Sequence, residues 1–321
     1  MIKKATAIVV PTVLAVGIVA YMLYRVWDDL LVAVQNAVWS YLILAVIICV
    51  GAWFLRGIRY RSILASLTVP ISLWLSTACI YLSQTANLIV PARLGDLIRL
   101  FILRHEAEAT YTNGLSSVVV ERFFDIVTIA LLGAVTLPFV LNVPDWFITV
   151  VYVALSLCGV FVLLLFSAGR LQSGNKYLKM GIDLLGQVKE ASLSPQGIVG
   201  LSALSIVIWL TDVVICYVIA LMFGAAIPFV VVTLAIVIGN LVKAVPLTPG
   251  GVGTYEVAVA LTLSLAGVDP AVATLIAVID HLVKNVVTLA GGVVSLYVFG
   301  DWAVSLLRRA FSHSLDVSEV K

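Results

Sequence analysis

Two short clusters of charge interrupt long apolar runs: Glu121-Arg122-Phe-Phe-Asp125 and Asp280-His281-Leu-Val-Lys284. Both read acid, base, two apolar residues, charge. On a helix, Arg122 and Asp125 (i,i+3) share one face, as do Asp280 and Lys284 (i,i+4, acid first), so each pair can neutralise itself. Asp212 stands without a charged neighbour near the middle of a third apolar run. Ionisable groups deep in a membrane span are costly unless paired or wetted, so they mark a binding or ion pathway, or a charge pair that pins the bundle. Glu121, Asp125, Asp212, Asp280 and His281 can pair charge, receive a cationic head group or carry a coupling proton. Arg122 and Lys284 can hold an anion.

A second kind of chemistry is written in backbone. In Pro246-Leu-Thr248-Pro249-Gly250-Gly251-Val-Gly253-Thr254-Tyr-Glu256 the prolines cannot donate backbone hydrogen bonds, and the glycines allow a tight turn and close approach to a ligand. A helix resuming at Thr254 would aim its free N–H groups and positive dipole end inward, which is an anion site. Pro91-Ala-Arg93-Leu-Gly95-Asp96 offers a similar helix start, with Arg99 nearby. The segment is not a P-loop, because GxxxxGK[ST] is absent, and Gly250-Gly-Val-Gly is not GxGxxG. Arg93, Arg99, Arg122, Lys243 and Lys284 around two inward-facing helix starts would make a basic pocket suited to a lipid phosphate. Asn87, Asn240, Gly250, Gly251, Gly253, Thr254 and Glu256 complete the expected substrate-binding set. Cys49, Cys79, Cys158 and Cys216 all lie in apolar runs and form no CxxC pair. Neither a metal site nor a disulfide framework is expected, and no motif for a cofactor or for catalysis is visible.

Such residues need elements to hold them. The chain has 321 residues, of which 62% are hydrophobic and only 11% charged. A soluble domain would carry about 25% charged residues, so lipid is the solvent. The net charge of +2 gives no reason to expect a nucleic-acid partner. Runs of about 20 apolar residues predict spans at 5–24, 38–55, 116–141, 146–168, 198–222 and 271–299. Two further stretches, 70–104 and 229–266, are apolar but broken in the middle by proline and glycine. Basic residues mark cytoplasmic ends: Lys3-Lys4, the group Arg56, Arg59 and Arg61, the segment 169–197 with Arg170, Lys176, Lys179 and Lys189, and Arg308-Arg309. The count then makes 70–104 a re-entrant hairpin from the inside and 229–266 one from the outside. Both termini are placed in the cytoplasm and the chain in the cell membrane.

The halves also match in residues. Asn87-Leu-Ile-Val-Pro91-Ala-Arg-Leu-Gly95 resembles Asn240-Leu-Val…Pro249-Gly-Gly-Val-Gly253, and each is followed about thirty residues after its proline by one of the charged clusters. The reading is an all-α integral membrane protein built as an inverted-topology repeat, with six full spans and two re-entrant broken-helix hairpins. Its parts are a first repeat at 1–144, a second at 145–300 and a cytoplasmic tail at 301–321. Inverted repeats with broken helices near the midplane are common in transporters.

The runs Asn87–Arg99, Val118-Val-Val-Glu-Arg-Phe-Phe-Asp125 and Asn240–Glu256 resemble the hallmark motifs of the flippase-like membrane domain. That domain is the N-terminal part of lysylphosphatidylglycerol synthases (multiple peptide resistance factor) and also occurs as stand-alone bacterial and archaeal proteins. The resemblance covers nearly the whole chain and implies movement of a phospholipid or polyprenyl-linked lipid between leaflets. The synthases append a soluble aminoacyl-transferase domain, whereas this sequence ends about twenty residues after its last span, so a synthase activity is not expected of it. Two other function classes stay open. One is a membrane-embedded transferase or hydrolase acting on a lipid phosphate, with Glu121 or Asp125 as general base. The other is a non-transporting partner that recruits a soluble lipid-modifying enzyme. Membrane lipids are the expected partners, with a homo-oligomer also open.

Overall fold

The computed structural model describes residues 2–89, 95–139, 145–168, 176–245 and 248–300, and among them the chain is helical with no β-strand. The helices are α1 (Ile2–Arg25), α2 (Trp27–Gln35), α3 (Ser40–Ser66), α4 (Leu73–Ile89), α5 (Ile98–Glu106), α6 (Tyr111–Thr136), α7 (Asp145–Ala168), α8 (Lys176–Leu193), α9 (Pro195–Met222), α10 (Phe229–Ala244), α11 (Thr254–Leu265) and α12 (Pro270–Phe299). Several start where short polar side chains can satisfy the first free N–H groups. The Thr110 hydroxyl accepts from Asn113 N at 3.1 Å and opens α6. Ser194, followed by Pro195, opens α9, and Asp269, followed by Pro270, opens α12.

Over their described residues the six expected spans are essentially helical. Three helical segments, Ser40–Ser66, Gly197–Met222 and Pro270–Tyr297, are long and apolar enough to cross a membrane. In α6 the charges Glu121, Arg122 and Asp125 dilute the apolar run. One expectation needs correcting. The sequence predicts a second span at 38–55 with Arg56, Arg59 and Arg61 at its end, but α3 continues unbroken to Ser66. Arg59 is buried, because carboxylates on α6 meet it inside the bundle. The expected linker 169–197 carries α8, which packs on α6, α7 and α9. The tail 301–321 and the junction residues 140–144 lie outside the described residues.

Each of the two interrupted stretches holds two helices. Stretch 229–266 holds α10 and α11, separated by a 3-10 turn at Pro249–Gly251. Gly250, Gly251 and Gly253 there have φ of 63°, 76° and 85°, the left-handed region that only glycine enters cheaply. Stretch 70–104 holds α4 and the start of α5, and its break at 90–94 lies outside the described residues. None of these four helices reaches the roughly 20 residues that span hydrocarbon alone.

The packing is regular. Helix α3 runs along α9; α4 packs on α12, and α10 on α6; α5 packs on α6, and α11 on α12. The largest apolar core joins α3, α4, α9, α10, α11 and α12. Helix α12 shows how burial is sorted. Leu282, Val286, Leu289 and Val293 are exposed along one stripe, whereas Asp280, His281 and Thr288 are buried. That is the reverse of a water-soluble helix, and it fits a lipid surround.

Helices α4 and α12 approach closely at Gly291 and Gly292, which face Tyr81 and Thr85. The Thr85 hydroxyl donates to the Thr288 carbonyl across this contact at 2.9 Å. A Cβ on Gly292 would collide with the Thr85 side chain. Gly292→Val is therefore expected to destabilise the protein by about 1–3 kcal/mol through overpacking, read as a lower Tm in detergent. Gly159→Ala is the comparator, because nothing lies within 4 Å of that glycine on α7; it should leave Tm unchanged or raise it. Equal melting of both variants would deny the close contact.

Candidate functional site

A cavity of about 400 Å³ opens between α3, α4, α6, α9, α10 and α12, against the Pro249–Gly251 turn. Its walls carry an ion-pair network that forms two connected groups. In the first, Arg59 of α3 donates to Asp125 at 2.7 Å and to Ser205 of α9 at 2.9 Å, and lies 3.4 Å from Glu121. Arg99 of α5, fully buried, pairs with Glu121 and donates to the Ser83 hydroxyl at 2.9 Å. Arg122 bridges Asp96 at 3.1 Å and Asp125 at 3.4 Å. Trp209 of α9 donates its indole N–H to Asp125 at 3.1 Å.

In the second group, Lys284 Nζ lies 2.7 Å from Asp280 Oδ1 and donates to the Asp212 carbonyl at 3.3 Å. Tyr255 donates its hydroxyl to Asp280 at 2.6 Å. Asp212 accepts from Arg56 of α3 at 2.6 Å. His281 is held at both nitrogens: Nδ1 lies 2.7 Å from Glu256 Oε1, and Nε2 lies 3.1 Å from Lys243 Nζ.

Arg56, Arg59, Arg99, Arg122, Lys243 and Lys284 thus stand among Asp96, Glu121, Asp125, Asp212, Glu256 and Asp280. The network is formally balanced rather than basic. The two signs are not equally placed, however. The side chains of Arg56, Arg122 and Lys284 keep 19%, 28% and 18% of their surface exposed, whereas their partners Asp212, Asp96 and Asp280 keep 11%, 11% and 0%. Arg56, Arg122 and Lys284 are thus the more exposed partners of these pairs, while Glu121, Asp125 and Asp212 also line the cavity and Asp125 is more exposed than Arg59. Two polar atoms at the cavity, Arg122 Nε and Asn87 Oδ1, are buried without a hydrogen-bond partner among the described residues.

Of the residues expected from sequence, Asn87, Glu121, Arg122, Asp125, Asp212, Asn240, Lys243, Gly250, Gly251, His281 and Lys284 line this cavity. Asp280 sits behind Lys284, and Arg99 behind Glu121. Arg93 lies outside the described residues. The helix start at Thr254 differs from expectation. The Gly253 N–H donates to the Glu256 carboxylate at 2.7 Å, and the Thr254 hydroxyl turns back to the Gly251 carbonyl at 3.0 Å. The chain supplies its own anion there, so Gly253, Thr254 and Glu256 brace the site rather than line it.

Sequence reasoning missed Arg56, Arg59, Asp96, Trp209 and Tyr255. In the sequence Arg56 and Arg59 read as markers of a membrane boundary, and only their i,i+3 spacing on one helix face points to a shared role. Asp96 lies inside a quoted motif. Nothing local in the sequence points to Trp209.

The lysylphosphatidylglycerol synthase TM region family matches residues 8–292 of this chain. Glycosyltransferase AglD of Haloferax volcanii is 33% identical over 300 residues, 78% of this chain and 48% of that protein. UPF0104 membrane protein MJ1078 of Methanocaldococcus jannaschii is 25% identical over 190 residues, 57% of this chain and 80% of that protein. The chain therefore spans about half the length of the Haloferax relative. No solved structure matches.

Arg59→Ala would leave Asp125 and Glu121 short of a cation inside the bundle. Breaking a buried ion pair costs about 3–5 kcal/mol, which corresponds to a Tm lower by roughly ten degrees in a chain of this size. A melting curve within two or three degrees of wild type (about 1 kcal/mol) would show that the network does not hold the helices together.

Proposed function

The chain belongs to the lysylphosphatidylglycerol synthase TM region family, and from this membership and the geometry of its cavity we propose that it moves a phosphate-bearing lipid across the bilayer. The observation that carries the proposal is the set of part-exposed cations at the cavity. Arg122, Lys284 and Arg56 face a space bounded by broken helices in a bundle whose outer surface is apolar. A lipid phosphate would find cationic donors inside, while its chains stay in hydrocarbon.

Transport of this kind needs two access states. The packing supports the inverted-repeat reading that would supply them. Exchanging α3 with α9, α4 with α10, α5 with α11 and α6 with α12 maps each main contact onto another: α4 on α12 becomes α10 on α6, and α5 on α6 becomes α11 on α12. Contacts between the hairpins and the charged helices correspond as well. The base aligned in each cluster meets an acid of its own half's broken stretch, Arg122 with Asp96 and His281 with Glu256. In this reading the two hairpins enter from opposite leaflets, and one half rocks against the other around the cavity. The Lys/Arg bias at Lys3-Lys4 and Arg308-Arg309 then places both ends in the cytoplasm. The Haloferax relative is named a glycosyltransferase, which adds a sugar-bearing lipid phosphate to the candidate cargoes beside ordinary phospholipids.

The test uses purified protein in vesicles, with fluorescent phospholipid and radiolabelled polyprenyl phosphate followed between leaflets. Wild type is expected to accelerate exchange of at least one of them. Arg122→Ala and Lys284→Ala should lose it at least tenfold, the weight of roughly one charge-assisted hydrogen bond, while still eluting as folded protein. Unchanged exchange in both variants removes the cavity from the pathway. A new lipid species appearing in the same time course, without relocation, would replace transport by a membrane-embedded transferase or hydrolase.

A further inference from the structure

We propose that His281 is a proton-binding site coupled to occupation of the cavity by a phosphodiester, with Lys243 as the group that moves between them. The inference rests on the lipid-phosphate reading above and adds to it what balances the cargo's charge.

The argument is a count of donors. An ammonium has three N–H donors and no acceptor. Lys243 Nζ lies 3.1 Å from His281 Nε2, so that nitrogen must present its lone pair. The ring proton is then on Nδ1, donating to Glu256 Oε1 at 2.7 Å. The other carboxylate oxygen, Oε2, accepts the Gly253 N–H at 2.7 Å. Glu256 thus accepts at both oxygens, as an ionised carboxylate does. The described arrangement is Glu256 anionic, His281 neutral and Lys243 cationic.

Adding a proton from solvent to Nε2 puts a second N–H donor opposite the ammonium, and two positive charges in contact. One must leave. His281 is fixed: its side chain is 1% exposed, Glu256 holds it on one side, and the Tyr255 ring centroid lies 4.5 Å from its own. Lys243 has a flexible stem and borders the cavity. Gly251 makes room beside that stem, since a Cβ there would come within 3.0 Å of Lys243 Cδ. Protonation therefore drives Lys243 toward the cavity, where an anion receives it. The protonated imidazole keeps Glu256 as counter-ion. No covalent bond other than the new N–H forms or breaks. One proton gained matches the single negative charge of a phosphodiester, so loading is electroneutral.

The surrounding charges do not compete for this role. On its own helix His281 has Asp280 and Lys284, which pair with each other. Asp212 of α9 pairs with Arg56 of α3. Helix α4 carries no charged residue, and its Tyr81 stacks on Trp53. Arg25 of α1 and Asp28 and Asp29 of α2, on the other elements that touch α12, are exposed.

By linkage, a ligand that binds better to the protonated form takes up that proton as it binds. The experiment is calorimetry on the purified full chain with dihexanoyl phosphatidylglycerol, whose phosphodiester keeps its charge between about pH 6 and pH 8 (the range where histidine titrates). Runs in buffers of different ionisation enthalpy count the protons. Wild type should take up close to one, with affinity rising up to about tenfold per unit fall in pH. His281→Gln should bind more weakly and take up none, because an amide can accept from Lys243 and donate to Glu256 at any pH. Wild-type binding with no uptake, uptake that persists in His281→Gln, or no binding at all would each overturn the proposal. Dimethyl phosphate, run in parallel, separates sources. Uptake with the lipid alone assigns the site to a lipid head group, and uptake with both supports the coupling for the phosphodiester itself. Vesicle transport with no uptake in the calorimeter would sink this inference and leave the transport reading standing. Uptake without transport would do the reverse.

Discussion

A charge inside a membrane bundle has to be matched where it stands, and this constraint organises the protein. Arg59 alone ties three helices: it comes from α3 and meets Asp125 and Glu121 of α6 and Ser205 of α9. Arg99 brings α5 to the same Glu121, and Arg122 brings the Asp96 segment to Asp125. Each acid is shared by more than one donor. The arrangement therefore fixes helix positions jointly, since moving any one helix would strand a charge on another. Apolar packing against lipid-like surroundings supplies little specificity of this kind.

The same constraint shapes the cavity. Arg56, Arg122 and Lys284 are more exposed than the acids they pair with, so the space offers a visitor cationic donors although the network sums to neutral. The turn between α10 and α11 contributes by what it does not offer. Glu256 already occupies the α11 start, which leaves anion recognition to side chains that can move. A backbone anion site is rigid, whereas Lys243 and Arg122 can follow a ligand.

What could be read from the sequence was whatever chemistry lies within one or two helical turns. The Asp280–Lys284 and Arg122–Asp125 pairs follow from spacing alone, and both are present. So is the turn between α10 and α11, which proline and glycine enforce locally. Partners distant in sequence could not be read. Asp212 looked solitary because Arg56 is 156 positions away. Arg56 and Arg59 looked like boundary markers because a window of one membrane thickness ended just before them, and only acids from α6 and α9 explain their burial. The Glu256 brace was legible in principle, since an acid three residues after a helix-opening residue is the capping-box spacing. The neighbouring glycines drew the reading toward a ligand instead.

The glycines of α12 carry one more implication. Gly291 and Gly292 let Tyr81 and Thr85 of α4 sit against the helix backbone, and Gly57 of α3 receives Thr77 of α4 in the same way. Such contacts have no slack, because a slide of even one residue would drive a side chain into main chain. These contacts hold α4 in register with α3 and with α12. A movement of one half against the other has to pivot there and open along the seams lined by ion pairs, where partners can be traded without leaving a hole.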